Sequence, residues 1–349
     1  MTVALVAWAL LASGFSAYTL VALRRSTRRA PAPSAPPVVL LRPADALTSR
    51  ETALLAEPIA YPGDCAYVVV SPTCPPGVAA ERWLASDPAT PNRKVGHLLR
   101  ALDALGVADR IVVAIDCDVR VDGALVASLA DAIARGAALA TAAPAPEAAP
   151  GVVPRAVRAL LCHTHLSFRA LDAVSVGAKS ICGKAMALSP AAIDGLRTMR
   201  ERVGEDLELA QWLCDRALPV VLVEAPAVMP QAPHAPLAPA RERFTRWMQV
   251  LRAHRPALWA LVPVLFTPSL PLLLLGLFVG TPVLIATLVL WGLRTGLALR
   301  LEPRDAWRWP LGEALLLLAF VGSLGRRTVT WRGRRFRLER GGRMQPVPT

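Results

Sequence analysis

The sequence predicts an α/β domain with a mainly parallel sheet, tethered to a membrane by apolar helices at both ends. Three observations carry this. Short β-rich runs alternate with Ala/Leu-rich helical stretches from Val38 to Val223, the pattern of strands buried on both faces by crossover helices. Thr2 to Leu23 and Pro256 to Leu293 carry no charge, and a helix of about 20 apolar residues crosses a bilayer. Arginines crowd beside these segments, at Arg24–Arg29, Arg241–Arg255 and Arg326–Arg340, as in chains that meet an anionic cytoplasmic leaflet.

Composition agrees. A chain of 349 residues holds one sizeable domain plus membrane segments. Hydrophobic residues make up 54% and mean hydropathy is +0.42, too apolar for an ordinary soluble domain. The formal net charge is +13, and Lys94, Lys179 and Lys184 are the only lysines. A GC-rich genome accounts for the arginine bias as such; the placement of the arginines is what informs. No zinc-finger spacing or aromatic–basic RNA motif accompanies the charge, so nucleic acid is not an expected partner. The six cysteines have no CxxC or Cys/His ligand spacing and read as reduced, mostly buried small hydrophobes.

Residues 1–23 form the first membrane anchor. Its basic residues follow the apolar run, whereas those of a signal peptide precede it, so the N-terminus is expected outside and the next segment in the cytoplasm. A basic, Pro-rich linker occupies 24–37. The α/β domain spans 38–240, with strands expected at Val38–Leu41, Tyr67–Val70, Ile111–Ile115, Ala137–Ala142, Ile181–Leu188 and Val220–Val223. Helices such as Val95–Leu105 and Gly123–Arg135 lie between them. An arginine-rich interfacial helix covers 241–255. Membrane segments fill 256–325: two crossings that turn at Gly280-Thr281-Pro282, a basic loop Arg294–Arg308, and an apolar segment Trp309–Gly325 that contains Glu313 and is interfacial or re-entrant. Parity supports two crossings, because the domain and the basic tail 326–349 both read as cytoplasmic.

The chemistry is expected at strand ends, where ligands bind in such sheets. Ile111–Ile115 runs into Asp116-Cys117-Asp118. Two carboxylates two residues apart at that edge can hold Mg²⁺ or Mn²⁺ bridging a nucleotide diphosphate. Gly204-Glu205-Asp206 opens a helix; alone it reads equally as an acidic start favoured by the helix dipole, and Glu208 and Asp215 belong to that reading. Arg243-Phe-Thr-Arg246-Trp247 reads as an interfacial amphipathic helix, while guanidinium forks also suit diphosphate and Trp suits stacking or an apolar acceptor. The spacing of His163 and His165 is more typical of surface or packing residues than of catalysis.

In this order, followed by membrane helices, these motifs resemble the ceramide glucosyltransferase family, glycosyltransferase family 21 of the inverting GT-A group, which includes bacterial hopanoid-type relatives. Asn92-Arg93-Lys94-Val95 is similar to the family's NPKxNNL segment, Asp116-Cys-Asp-Val-Arg120-Val to its D2 stretch and Gly204-Glu-Asp206 to D3. Arg243-Phe-Thr-Arg-Trp247 is similar to (Q/R)xxRW, and Thr330–Leu338 before Gly341-Gly342 to its tail. The resemblance implies a GT-A-like, Rossmann-like cytoplasmic domain on a multi-pass membrane protein, of the inner membrane in bacteria. It implies transfer of glucose or a related hexose from a UDP-sugar to the hydroxyl of a ceramide-like lipid. Lys94 would contact the uridine or diphosphate, Asp116 and Asp118 the donor and a Mg²⁺ or Mn²⁺ ion, and Asp206 would be the general base. Arg243, Arg246 and Trp247 would close over the diphosphate. The chain departs from the family after the second strand, where Ser71-Pro-Thr-Cys-Pro-Pro-Gly77 replaces the acidic D1 motif, and at Gly96-His97, which replaces an Asn. A processive polysaccharide synthase, which shares (Q/R)xxRW, or a non-catalytic membrane relative are the alternatives.

Overall fold

The computed structural model describes residues 1–25, 35–107, 109–162, 181–301, 303–326, 328–331 and 333–347. They fall into two compact units: an α/β unit of residues 30–145, 175–230 and 330–349, and a helical unit of residues 1–29, 146–174 and 231–329.

The α/β unit is built on seven strands, β1 (Val38–Pro43), β2 (Cys65–Ser71), β3 (Trp83–Ala85), β4 (Ile111–Ile115), β5 (Leu139–Pro146), β6 (Ala185–Leu188) and β7 (Val220–Met229), in the order β3-β2-β1-β4-β6-β5-β7. β1 pairs in parallel with β2 and β4, and β2 with β3. β6 is antiparallel to both β4 and β5, so the sheet is parallel from its β3 edge to the central β4 and mixed beyond. Alternate residues serve opposite faces. Val39, Leu41, Val112 and Ala114 pack with Val95, Leu98 and Leu102 of α3 (Arg93–Leu105), with Leu196 of α6 (Pro190–Arg197) and with Leu209 and Leu213 of α7 (Glu205–Cys214). On the other face Val69 meets Leu55 of α2 (Ser49–Ala56). Such double burial is why the strands read as unbroken apolar runs.

Short polar side chains start the helices. Thr48 and Glu51 form a reciprocal capping box on α2, Asn92 caps α3, Asp122 caps α4 (Gly123–Ala134) and Ser189 caps α6. Each cap satisfies a backbone N–H that a helix start leaves orphaned. The chain ends in a three-stranded sheet of β8 (Thr328–Trp331), β9 (Arg334–Leu338) and β10 (Met344–Pro346). Within the basic tail, residues 341–344 dock on 201–203. Val203 donates to the Gly342 carbonyl at 2.9 Å, Met344 to the Glu201 carbonyl at 2.8 Å, and Arg202 to the Gly341 carbonyl at 2.7 Å.

The helical unit contains α1 (Thr2–Arg25), helical residues 152–162 (α5), α8 (Leu237–His254), α9 (Pro256–Leu261) running into a π-helical turn at Val262–Phe266, α10 (Ser269–Val279), α11 (Thr281–Leu301) and α12 (Trp309–Ser323). Among the described residues two helices, α1 over Thr2–Val21 and α11, are long and apolar enough to cross a membrane; Pro256–Phe266 and Ser269–Val279 are long and apolar enough only together and are bent by 53°. Ala9 and Ala12 of α1 pack with Leu272, Ala286 and Leu290, and Trp8 Nε1 donates to the Val264 carbonyl at 2.9 Å. On α8, Thr245 abuts Gly322 of α12 and Arg252 donates to the Leu324 carbonyl at 3.0 Å.

The basic loop expected at 294–308 is helical over its first part. α11 continues to Leu301, and Arg294 is buried within it. The bend around Pro268 strips carbonyls and an N–H of helical partners, which an apolar surround cannot hydrate. Arg294 donates to the Leu265 carbonyl at 2.6 Å and the Phe266 carbonyl at 3.0 Å and pairs with Glu313. Glu313 in turn accepts from the Ser269 N–H at 3.2 Å and its hydroxyl at 3.0 Å.

Candidate active site

Where β4 ends, the chain turns through Asp116-Cys117-Asp118. Arg42 of neighbouring β1 is fully buried and donates to the Asp116 carbonyl at 3.0 Å and the Val119 carbonyl at 2.8 Å, which fixes this turn. Cys117 is buried, with its thiol 3.4 Å from Glu51. Asp116 and Asp118 remain partly accessible, their side chains 22% and 28% exposed.

Antiparallel β6 then places its own beginning beside the end of β4. Ile115 faces Ala185 in the register, and the Asp116 N–H donates to the Lys184 carbonyl at 2.9 Å. Lys184 Nζ lies 2.8 Å and 2.7 Å from the two Asp118 oxygens and 3.2 Å from Asp116 Oδ2. The first turn of α3 brings a second ammonium. Lys94 Nζ sits 2.9 Å from Asp116 Oδ1 and 3.0 Å from Glu205 Oε1, and donates to the Gly183 carbonyl at 2.6 Å. Burial alone would lower its pKa, but the Asp116 and Glu205 carboxylates prevail and hold it well above the ordinary amine value, so Lys94 stays charged. Asn92 ties the start of α3 to the acidic turn, donating to the Arg202 carbonyl at 2.7 Å and to Glu205 at 3.1 Å.

Gly204 opens α7 with φ 68°, a left-handed conformation that glycine adopts without penalty. The next two residues stand in the first turn, where the helix dipole favours their charge. Asp206 accepts from the Gly183 N–H at 2.6 Å and from the Leu207 N–H at 2.9 Å. A β-carbon on residue 183 would lie 3.1 Å from Asp206 Oδ2, so a glycine there lets the carboxylate approach. Burial first, and then the charge of Glu205, push the Asp206 carboxyl up to about 6 against the opposing pull of Lys94 and the two N–H groups. A carboxylate so tuned accepts a proton readily near neutral pH. Gly204-Glu205-Asp206 is thus at once a dipole-favoured helix start and part of this cluster. Glu208 instead pairs with Arg202 at 3.2 Å, and Asp215 accepts from Gln211 at 2.6 Å.

Of the residues singled out in the sequence, Lys94, Asp116, Asp118 and Asp206 converge. Arg243, Arg246 and Trp247 belong to α8 of the helical unit, where Trp247 meets Phe244 edge-on at 5.3 Å. His163 and His165 lie outside the described residues. Lys184, Arg42 and Asn92 carry no role in the sequence reading, and Glu205 enters it only within the Gly204-Glu205-Asp206 motif. The rarity of lysine was the available signal for Lys184.

A divalent cation fits the donor set in part. Asp116 and Asp118 supply hard oxygens and already close on one positive atom, Lys184 Nζ. Among the described residues no group of three or more His, Cys, Asp or Glu could hold a metal ion, so further oxygens would have to come from a ligand, as is usual for Mg²⁺ with phosphates. The loop after β2 offers no carboxylate; its Ser71 accepts from Trp83 Nε1 at 3.1 Å. On the strands to either side, Asp45, past β1, and Asp87, past β3, pair with Arg93 at 2.6 Å and 2.5 Å. His97 is buried 3.0 Å from the Ser86 hydroxyl, and burial aided by Arg93 lowers its pKa to about 4, which leaves it neutral.

The family model described as glycosyl transferase family 21 matches residues 63–344. No curated protein matches the chain at a significant level. Among solved structures the chain is similar to the mannosyltransferase PcManGT from Pyrobaculum calidifontis, in complex with GDP-Man and Mn²⁺. The TM-score is 0.51 and the identity 17%, over 92% of this chain and 99% of that one; this likeness speaks to the fold.

Proposed function

This chain belongs to glycosyl transferase family 21, and from that premise we propose that it transfers a hexose from a UDP-sugar to a hydroxyl of a ceramide-like membrane lipid, with inversion. The observation that carries this is the convergence of Asp116, Asp118, Lys94 and Asp206 from three separate chain segments. The α/β unit serves as the GT-A-type donor domain. The α1 and α11 spans and the bent α9–α10 pair hold it to the bilayer, with the site on the cytoplasmic side.

Asp116 and Asp118 face the donor diphosphate. A bound Mg²⁺ or Mn²⁺ supplies positive charge against the departing diphosphate. Lys94 fixes Asp116 and sets a positive charge among the carboxylates. The acceptor hydroxyl loses its proton to Asp206, whose oxygens are aimed by the Gly183 and Leu207 N–H groups. The alkoxide oxygen bonds to the anomeric carbon as the carbon–oxygen bond to the diphosphate breaks on the opposite face, which inverts the centre. Arg243, Arg246 and Trp247 serve the diphosphate and the lipid entry from the interfacial helix, since forks bind phosphates bidentately.

The test is incubation of the purified full-length protein with radiolabelled UDP-glucose, UDP-galactose or GDP-mannose and extracted membrane lipids. Label in a discrete alkali-stable glycolipid supports the reading. Label in polymer points to a synthase, and no transfer from any donor to a scaffold.

A further inference from the structure

Of the 39 basic residues only three are lysine, and two of those three, Lys94 and Lys184, meet at the strand-end carboxylates. A chain that uses arginine almost everywhere has kept the compact ammonium here. The two side chains differ in shape and point charge: guanidinium is a rigid planar fork, whereas an ammonium is a single charge on a flexible stem.

The two lysines are held differently. Lys94 is anchored from behind by Glu205 and the Gly183 carbonyl, as well as by Asp116. Lys184 spans the gap between Asp116 and Asp118, reaching three of their oxygens within 3.2 Å. A divalent cation bound by both carboxylates would need those same oxygens. Three positive charges within a few ångströms repel strongly in a partly enclosed site, so cation and ammonium exclude each other there. Without an anion to receive it, the displaced ammonium opposes cation binding. A diphosphate provides that anion.

We propose that Lys184 is a displaceable counter-ion, which holds Asp116 and Asp118 until a divalent cation takes them and then moves onto the nucleotide diphosphate, so that cation and nucleotide bind cooperatively. The idea rests on the donor-site reading above and adds to it an order of occupancy: the cation is bound well only together with the nucleotide.

Mn²⁺ binding to the full-length protein in detergent, followed by the electron paramagnetic resonance of free Mn²⁺, tests this with and without UDP. In the parent, UDP should tighten Mn²⁺ binding by about 5- to 150-fold, the usual span of coupling between two ligands. Lys184→Met should bind Mn²⁺ alone more tightly than the parent and gain less from UDP. Unchanged or weaker binding of Mn²⁺ alone by Lys184→Met overturns the proposal, as does independent binding of Mn²⁺ and UDP by the parent. A measurement on the parent alone avoids dependence on a folded variant: acylation of lysines read by mass spectrometry. Lys184 should become more reactive in saturating Mn²⁺ and less so when UDP is added, while Lys94 stays protected; constant Lys184 labelling contradicts the exchange. Failure of UDP to bind the parent under any condition would instead remove the donor reading, while the comparison of Mn²⁺ alone still decides the role of Lys184.

Discussion

Asp206 combines two properties that are usually opposed: fixed by two backbone N–H groups, it still ionises late, because burial and Glu205 outweigh those bonds. An acid whose folded pKa lies above its ordinary value favours folding while protonated and costs stability once ionised. Its contribution is complete below the ordinary value of 3.8 and is lost as pH rises through about 6. Asp206→Asn keeps an acceptor oxygen and never ionises. It should therefore melt above the parent at about pH 7.5, with the gap closing towards pH 4, as scanning fluorimetry in detergent can follow. A lower melting point at neutral pH would mean that the ionised carboxylate is better solvated than its burial implies. At the same scale, Asp118→Asn should raise the divalent-cation concentration needed for activity, and Cys117→Ser, whose thiol faces Glu51, should barely change it. Activity undiminished in EDTA would leave this pair a nucleotide contact only. The aspartates were legible because an apolar run ending in paired carboxylates is a local pattern. Lys184 was not, because its place is made by strand pairing across 66 residues of sequence, and no local periodicity encodes a partner so distant.

The site is made at the level of elements by two departures from the simple alternating pattern. β6 runs against β4, and only that direction sets Gly183 and Lys184 beside Asp116; a parallel strand would deliver its C-terminal end there. Alternating hydrophobic runs locate such a strand but say nothing of its direction, which depends on the excursion that precedes it. β3 is three residues long and lies at the sheet edge, too short to show a period. The docked C-terminal segment is the other departure, for its arginines read as a basic cluster beside the membrane while its backbone bonds secure residues 201–203, directly before Gly204. Ending the chain at Glu339 removes those bonds. Turnover should then fall by up to about 10²-fold, the effect of misplacing a catalytic group by an ångström, while α-helical circular dichroism is retained; full turnover would free the acidic turn from this support. In the helical unit, Glu313→Ala leaves Arg294 buried without its carboxylate. Loss of one partner of a buried pair costs about 3–5 kcal/mol, which should show as a lower midpoint in detergent unfolding. An unchanged midpoint would mean that the carbonyls of Leu265 and Phe266 suffice.

For the whole molecule, charge placement predicts an orientation on which the apolar helices alone are silent. α1 and α11 qualify as spans by length and composition, and the bent pair as one more. The basic clusters predict Met1 outside and Arg334 in the cytoplasm, by reporter fusion or by labelling of single cysteines; labelling of residue 334 only from outside would overturn the parity argument. Central to the account is that family 21 chemistry in this chain runs on Asp206 within a lysine-braced cluster. The most direct test is the pH dependence of kcat/KM for lipid glycosylation by the parent and by Asp206→Asn. The parent should lose activity about tenfold per unit below the Asp206 pKa of about 6. Asp206→Asn should be slower by about 10²–10⁴-fold, the usual worth of a general base, and lack that limb. Near-normal turnover in the variant, with the same acid limb as the parent, would contradict the account.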